Sequence, residues 1–205
     1  FGHTDCVTWL ANMGCPFTSI ASHNAAKNGH LETLKFLCRL AVPHHNTVLA
    51  ATRNDRLDCV KFCVENSDTF PNVFPDQIME KACFSGAPKV ARWLLEDKLV
   101  AEVKTEWIMM AIARNRVNVL EPLFELGHIP KHDTELCEHA VREGTLTMLK
   151  LLRERGCAWR AVGDCPAIAV VAIVGFRNHI LKWILKSGGF PPNQKLMNMA
   201  MLYGN

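Results

Sequence analysis

Apolar residues recur along this chain in short helical stripes, each with one polar side. In the clearest stripe, Leu31, Leu34 and Leu37 follow one another at three-residue steps, with Glu32 and Lys35 between them. This spacing places the leucines on one helical face and the charges on the other. We therefore predict a short amphipathic helix here, with one face packed against the protein and the other facing water.

A second, shorter kind of apolar stretch precedes each amphipathic stripe and has no clear polar face. The best examples are residues 48–51, 78–83, 108–113 and 168–174. We predict a buried inner helix at each, followed by the amphipathic outer helix. Polar residues suited to capping these inner helices are Thr18, Asn46, Asp76, Thr105, Thr134, Asp164 and Asn193. Each unit is thus predicted to be two helices and a loop.

One alanine recurs near the end of each inner helix. The copies are Ala25, Ala51, Ala82, Ala111, Ala140, Ala172 and Ala200, at steps of about 26 to 32 residues. Steps of this size are typical of solenoids built from stacked supersecondary units. A small side chain lets helix backbones approach closely, so the alanine predicts the point where the two helices of a unit meet and stack on the next unit.

A turn signal follows each alanine by four residues. It is glycine in the copies that begin at Ala25, Ala82 and Ala140, and it is Asp55, Asn115 or Phe176 in three others. Glycine adopts positive φ without steric cost, which suits a tight turn between helices. The sequence therefore predicts the same interhelical turn in every unit.

These residues resemble the ankyrin repeat. The segment His23-Asn24-Ala25-Ala26-Lys27-Asn28-Gly29-His30 matches its core pattern directly, and the outer helix that follows ends near Pro43. The segments Gly14-Cys15-Pro16-Phe17, Gly127-His128-Ile129-Pro130 and Gly156-Cys157-Ala158-Trp159 are similar to a Gly-Cys-Pro-aromatic variant found in divergent arrays of protists and giant viruses. The resemblance implies an all-α solenoid of stacked helix-turn-helix repeats.

The chain departs from the family pattern at the start of the inner helix. The Thr-Pro-Leu-His motif is represented only by His23, and the equivalent positions hold Leu49, Glu80, Met109, Glu138, Val170 and Asn198. We expect the hydrogen bonds that this histidine makes between repeats to be mostly missing, so stability rests on apolar stacking. Tetratricopeptide and HEAT or armadillo solenoids are alternatives, but their periods are longer.

The repeat also predicts the organisation of the chain as one array over residues 1–205. Complete units are expected at about 18–43, 44–73, 74–103, 104–130, 131–160 and 161–190, with partial units at 1–17 and 191–205. Because both ends fall inside a unit, we expect a fragment of a longer array. The chain is expected to be monomeric apart from association through exposed array ends.

Composition narrows the classes of partner and compartment. The net charge is only +3, whereas nucleic-acid binding calls for a clustered basic stripe. The most apolar stretch, residues 165–176, is too short to cross a membrane, for which about 20 residues are needed. The nine cysteines are odd in number and follow the repeat, which indicates reduced, buried thiols in an intracellular, cytoplasmic protein.

Two side-chain groups invite a chemical interpretation. Cys59 and Cys63 lie four residues apart after His44 and His45, which suggests zinc, but Cys63 takes a core position. The second group, His128, His132 and Asp133, lies in a short loop without a nucleophile at a defined spacing. We therefore predict no catalytic residue, no metal and no cofactor, and no enzymatic activity.

The resemblance implies that function lies on a surface. In ankyrin-like arrays the concave side is formed by loops leading into the inner helices and by the two residues before each turn. Those pairs are Lys27-Asn28, Arg53-Asn54, Phe84-Ser85, Ala113-Arg114, Arg142-Glu143 and Val174-Gly175. Four pairs carry a basic residue, and the loops add Lys131 and Arg160, which together suggest a mildly positive ridge with Phe84 as an aromatic anchor. An ordinary solvated surface explains the same charges equally well.

The resulting hypothesis is a protein-interaction module that presents its concave surface to a protein or peptide partner of acidic or mixed charge. The candidate partner-binding residues are Lys27, Asn28, Arg53, Asn54, Phe84, Ser85, Arg114, Arg142 and Glu143. One alternative is the substrate-targeting arm of a larger enzyme, such as a ubiquitin ligase or kinase, with its catalytic part outside this chain. A third is a structural spacer without a partner.

Overall fold

A computed structural model of the chain describes residues 4–40, 43–70, 74–129, 134–157, 161–162, 165–187 and 192–203. Over these residues the chain forms fourteen helices and one pair of two-residue strands. The helices are α1 (Thr4–Asn12), α2 (Ser19–Asn28), α3 (Leu31–Leu40), α4 (Thr47–Arg53), α5 (Leu57–Glu65), α6 (Pro75–Ser85), α7 (Pro88–Glu96), α8 (Thr105–Ala113), α9 (Val117–Glu125), α10 (Thr134–Glu143), α11 (Leu146–Glu154), α12 (Ala167–Val174), α13 (Asn178–Ser187) and α14 (Gln194–Leu202). The strands are β1 (Ala161–Val162) and β2 (Cys165–Pro166).

The predicted all-α fold is confirmed. Two helices fall within each of the six complete units that the sequence predicts, a short inner helix followed by an outer one. The strands are a local addition in the loop before α12, where Ala161 pairs with Pro166 and Val162 with Cys165 in antiparallel register. Asp164, the cap predicted for α12, lies outside the described residues.

The predicted turn after each inner helix forms in all six complete units. The residue four positions after the alanine has positive φ in every case, whether it is glycine or Asp55, Asn115 or Phe176. The backbone N–H one residue further on donates to the alanine carbonyl, at 2.9 Å from His30 to Ala25 and 2.8 Å from Arg177 to Ala172. This is the six-to-one hydrogen bond of a Schellman helix end. The recurring alanine therefore also supplies the carbonyl that closes its helix.

Burial of the alanines agrees with their predicted packing role. Six of the seven are buried, five of them completely, and Ala200 on α14 is half-buried. The inner helices around them are mostly core; in α4, five of seven residues are buried. The outer helices have the predicted solvent-exposed face; in α3, Glu32 and Arg39 are exposed.

The predicted helix caps are mostly wrong. Asn193 caps α14, where its Oδ1 accepts from the Leu196 N–H at 3.0 Å. Thr18 and Asn46 hold the N-cap positions of α2 and α4 without a side-chain cap bond. Asp76 lies inside the first turn of α6, since that helix begins at Pro75. Its carboxylate pairs instead with Lys104, at 3.1 Å.

The two other predicted caps, Thr105 and Thr134, are themselves the first helical residues of α8 and α10. The pattern of apolar residues therefore located these helix starts to within one residue. It did not identify the residue that precedes the first turn, because boundaries depend on interactions outside the local sequence.

Contacts divide the chain into two compact units. Unit 1 comprises Phe1–Trp107 with Asn118–Leu126, and unit 2 comprises Ile108–Val117 with Gly127–Asn205. Within unit 1, α2, α4 and α6 pack side by side as an inner row, while α3, α5 and α7 form the outer row. Within unit 2, α10, α12 and α14 pack in sequence, with α11 on α10 and α13 on α12.

The cysteines are less uniformly buried than the sequence suggests. Cys59, Cys63, Cys83, Cys137 and Cys157 are buried, as predicted. Cys6 and Cys15 are exposed and Cys38 is half-buried, so the prediction is wrong for these three. Burial raises the pKa of Cys38 and Cys59 to about 11 and that of Cys83 to about 12. These thiols stay protonated at neutral pH.

Candidate protein-interaction surface

The first two predicted pairs lie at matching ends of neighbouring inner helices. Lys27 and Asn28 end α2, Arg53 ends α4, and Asn54 follows it; all four are exposed. The two asparagines make the same local bond, since Asn28 Nδ2 donates to the Asn24 carbonyl and Asn54 Nδ2 to the Ala50 carbonyl, both at 2.9 Å. Each amide thus steadies its own helix end. The lysine and arginine provide the charge of this surface.

Phe84 and Ser85 take the equivalent position on α6, which packs beside α4 in unit 1. Both are half-buried. Lys81 Nζ lies 4.8 Å from the centre of the Phe84 ring, within the range of a cation–π contact. The aromatic side chain predicted as an anchor therefore carries a positive charge over its face.

The remaining candidates lie in unit 2. Arg114 follows α8, and Arg142 and Glu143 end α10; all three are exposed. The imidazole of His139 on α10 lies 3.2 Å from the carbonyl of Met109 on α8, a polar contact between the helices that carry these candidates. Lys131 and Arg160, predicted to extend the ridge, lie outside the described residues.

The structure adds two arginines that the sequence analysis did not single out. Arg56 Nε donates to the Lys27 carbonyl at 3.4 Å, and Arg177 Nη2 donates to the Arg142 carbonyl at 3.1 Å. Each arginine therefore binds a carbonyl in the last turn of the preceding inner helix, where a positive charge is favourable. The acceptors belong to Lys27 and Arg142, so each arginine fixes the backbone of a candidate residue.

These arginines also explain two of the glycines. A Cβ at Gly29 would lie 2.8 Å from Arg56 Cδ, and a Cβ at Gly144 would lie 2.9 Å from Arg177 Cζ. The arginine of one repeat covers the glycine turn of the repeat before it. A side chain at either glycine would require the covering arginine side chain to move.

A polar network holds the loop before α4 against α2. Ser22, which is buried, accepts the His44 N–H at 3.1 Å through its Oγ, and the Thr47 hydroxyl donates to the His44 carbonyl at 2.6 Å. Ser22 Oγ and Thr47 Oγ1 lie 3.5 Å apart. These bonds fix the backbone of His44 on both sides.

This network places three histidine rings in a row. The centres of His23 and His44 are 5.4 Å apart in an edge-to-face arrangement, and those of His44 and His45 are 4.2 Å apart. His23 Nδ1 is buried and has no hydrogen-bond partner in the described structure. The departure from the Thr-Pro-Leu-His motif thus leaves the one motif histidine with a free ring nitrogen.

The electrostatic surroundings of His23 are entirely basic. Burial lowers the pKa of its imidazole, and His44, Lys27, Arg53 and His45 lower it further by charge repulsion, in that order. Lys27 on α2 and Arg53 on α4 therefore act on the same ring. Lys27 and Arg53 were predicted as contact residues from their position in the repeat alone. Their electrostatic effect on the His23 ring was not predicted from the sequence.

A cavity of about 270 Å³ lies at the start of α5, lined by Gly29, Asp55, Arg56, Leu57, Asp58, Cys59 and Lys89. Its nucleophile candidate, Cys59, is a buried thiol with its pKa raised to about 11 by burial and by Asp58. A thiol in this state is a poor nucleophile at neutral pH. Among the residues that the structure describes, no group of three or more His, Cys, Asp or Glu side chains could hold a metal ion.

No helix in the described part of the chain is long and apolar enough to cross a membrane. No match was found among curated proteins. A family model for ankyrin repeats, in three copies, matches residues 22–106. That range contains the unit-1 candidates Lys27, Arg53 and Phe84.

Solved structures match over most of the chain. The ankyrin repeat domain of Bcl-3, described as a unique member of the IkappaB protein family, has a TM-score of 0.56 at 17% identity, covering 82% of this chain and 86% of that one. The human ASB11 ankyrin repeat domain has a TM-score of 0.54 at 19% identity, covering 90% of this chain and 83% of that one. Residues 22–106 therefore match ankyrin repeats in sequence, and the described chain has the helical fold of an ankyrin-repeat solenoid.

Proposed function

We propose that this chain binds a protein or peptide partner through the residues that precede its interhelical turns. Ankyrin repeats are in general protein-interaction modules and typically non-catalytic. The proposed contact residues are Lys27, Asn28, Arg53, Asn54, Phe84 and Ser85 in unit 1, with Arg114, Arg142 and Glu143 in unit 2. The partner would be acidic or mixed in charge.

The observation that carries this proposal is that the exposed Lys27 and Arg53, at matching ends of the packed helices α2 and α4, both act electrostatically on the His23 ring. Like charges that lie close together repel one another and destabilise the folded state. A basic cluster that is nevertheless present is therefore a candidate functional site. An acidic partner would offset that repulsion on binding. The charges are exposed and therefore accessible to one.

Rigid presentation supports the same proposal. Arg56 and Arg177 bind the carbonyls of Lys27 and Arg142, and the asparagine amides hold their own helix ends. A contact surface whose backbone is already fixed loses less conformational entropy on binding. The side chains at these positions differ from repeat to repeat and can then determine which partner binds.

The test is capture of partners by the full chain, followed by mass spectrometry. Reversing Arg53, Arg114 and Arg142 to Glu is expected to reduce partner recovery at least tenfold, because attraction becomes repulsion. Circular dichroism should show that the variant keeps its helices. The matched control reverses three basic residues on outer helices, Arg39, Lys150 and Lys182.

Three outcomes discriminate the hypotheses. If partner recovery falls equally in the control and in the variant with Arg53, Arg114 and Arg142 reversed, or falls in neither, the proposed surface is contradicted. No saturable partner would favour a structural spacer. A partner that is modified when bound to the full-length protein would favour the targeting arm of a larger enzyme.

We also propose, on the sequence alone, that residues 1–205 form one array of the Gly-Cys-Pro-aromatic variant, similar to protist and giant-virus arrays. A cytoplasmic location and a monomeric state belong to the same proposal. Fluorescence microscopy of the full-length protein and light scattering of the purified chain test these two points.

A further inference from the structure

The His23, His44 and His45 rings form a row on unit 1, and Lys27 and Arg53 act electrostatically on the first of them. We call this group the histidine cluster. It has a fixed backbone, because Ser22 and Thr47 bind the N–H and the carbonyl of His44. Its rings are half-buried at His23 and His44 and exposed at His45. An approaching molecule can therefore reach the cluster from the His45 side.

Hydrogen bonds from Asn46 orient two rings of the cluster. The Asn46 N–H donates to His44 Nδ1 at 3.2 Å, so that nitrogen is an acceptor and the neutral ring carries its proton on Nε2. The Asn46 side-chain amide lies 3.0 Å from His45 Nε2 and can donate to it in the same way.

The charged groups around His23 are all of one sign. They are Lys27 on its own helix, His44 and His45 in the loop before α4, and Arg53 on α4. Helix α3 also packs on α2, and its Glu32 and Lys35 form an ion pair with each other at 2.9 Å. None of the described groups that act on the ring is an acid. A proton on His23 has no counter-charge within this surface.

We infer that the histidine cluster is an acid-strengthened docking site for the carboxylates of an acidic peptide segment in the partner. At neutral pH, Lys27 and Arg53 supply two fixed positive charges. In mild acid His23 gains a proton when the peptide is bound, because the peptide carboxylates provide the missing counter-charge. By linkage, a ligand that binds the protonated form better must bind more tightly as the pH falls. The inference rests on the proposed function, since it specifies the chemistry of the same surface.

Carboxylates suit this cluster better than a phosphate backbone does. Two side-chain cations and three aromatic rings offer point contacts along an extended chain, and the net charge of the whole protein is only +3. Glutamate side chains also remain largely ionised at pH 5.5, because their ordinary pKa is about 4.3. The peptide therefore keeps its charge in the mildly acidic range in which His23 gains a proton.

The experiment measures binding of fluorescein-labelled hexaglutamate to the full chain by anisotropy at pH 7.5 and 5.5, at constant ionic strength. We expect Kd to fall about fivefold between these pH values, in line with one or two new charge-assisted contacts. Lys27→Glu with Arg53→Glu should weaken binding at least tenfold at both. Hexaglutamine should not bind.

The variants separate the cluster from other histidines. His23→Gln with His44→Gln should bring the ratio of the two Kd values towards one, whereas His179→Gln on α13 should keep the ratio of the unmodified chain. Helix content of each variant is checked by circular dichroism. A ratio near one in the unmodified chain, or an unchanged ratio in the double glutamine variant, would overturn the inference.

A second measurement needs no variant. NMR titration of the His23 ring should give a higher pKa with saturating hexaglutamate than without it, and an unchanged pKa would contradict the docking site. A twelve-nucleotide oligothymidylate that binds more tightly than the peptide, with the same pH ratio, would mark a general polyanion site and overturn the assignment. Binding of hexaglutamate that is lost in the charge-reversal variant but independent of pH would refute only this inference and leave the proposed function standing.

Discussion

At the scale of single residues, the recurring alanine has two physical roles. Its methyl group allows close helix approach, and its carbonyl accepts the bond that ends the helix. Any residue could supply the carbonyl, because the bond is made by backbone atoms. Only the packing role requires alanine. The periodicity in the sequence therefore reflects steric constraint.

This steric constraint can be tested on α8. Ala111 is completely buried, whereas Ala113 on the same helix is exposed. We expect Ala111→Leu to lower the free energy of unfolding by about 1 to 3 kcal/mol through overpacking. Ala113→Leu should change it by less than about 0.5 kcal/mol. Urea denaturation of both variants provides the measurement, and equal effects would contradict the packing role.

At the scale of helices and turns, the sequence predicted that Asp55, Asn115 and Phe176 replace glycine at the turn, and positive φ at all three confirms it. The signal was sufficient because the surrounding alanine and apolar positions fix the register of the turn. It could not show that these substitutions differ in consequence. Phe176 is an exposed aromatic ring at φ 55°, whereas the Asp55 carboxylate has a structural role.

Asp55 caps the outer helix of the next repeat. Its Oδ1 accepts the Val90 N–H at 3.0 Å and its Oδ2 the Lys89 N–H at 3.3 Å, in the first turn of α7. The N-cap residue of α7 is Ala87, whose side chain cannot accept a hydrogen bond. The Asp55 carboxylate, from the preceding repeat, thus accepts the hydrogen bonds at the start of α7 that Ala87 cannot accept.

We therefore expect substitution by glycine to change the free energy of unfolding in opposite directions at two equivalent turns. Phe176→Gly should raise the free energy of unfolding by about 0.5 to 1 kcal/mol, because glycine relieves the cost of positive φ. Asp55→Gly should lower it by about 1 kcal/mol, since the lost cap outweighs that relief. Thermal unfolding of both variants gives the comparison. Stabilisation at both positions would show that the Asp55 cap contributes little.

The turns also alternate along the chain. Glycine at positions 29, 86 and 144 alternates with Asp55-Arg56, Asn115-Arg116 and Phe176-Arg177. Arg56 and Arg177 each cover the glycine of the preceding repeat. A two-repeat pattern is therefore superimposed on the single-repeat period. It becomes interpretable only when the arginine and its glycine are seen in contact.

At the scale of the whole molecule, titratable groups that lose contact with water on folding make the free energy of unfolding depend on pH. The pKa of His23 is lowered from 6.5, so the folded state disfavours its charged form and the contribution to stability is lost as pH falls below 6.5. The pKa of Cys83 is raised from 9 to about 12, so its contribution is present below pH 9 and lost as pH rises from 9 to 12. The two groups limit stability on opposite sides of neutrality.

We accordingly expect the free energy of unfolding to be greatest between about pH 6.5 and 9. Urea denaturation at pH 5, 7.5 and 10 in the presence of a reductant measures it. His23→Gln should make the acid decline shallower, and Cys83→Ala should do the same for the alkaline decline. If His23→Gln leaves the acid decline unchanged, His23 does not carry the effect assigned to it.

The sequence by itself determined the helix pairs, their turns and the helical repeat fold, because these depend on local signals: apolar spacing within a helix, a small residue at the crossing and a left-handed position four residues later. The tertiary structure decided which polar side chains meet. Asp55 reaches Val90, Arg56 reaches Lys27 and Arg177 reaches Arg142, each about one repeat away in the sequence. The histidine cluster arose in part in the same way: His23 and Lys27 already share a face of α2, and packing of α2 against α4 adds Arg53 to them.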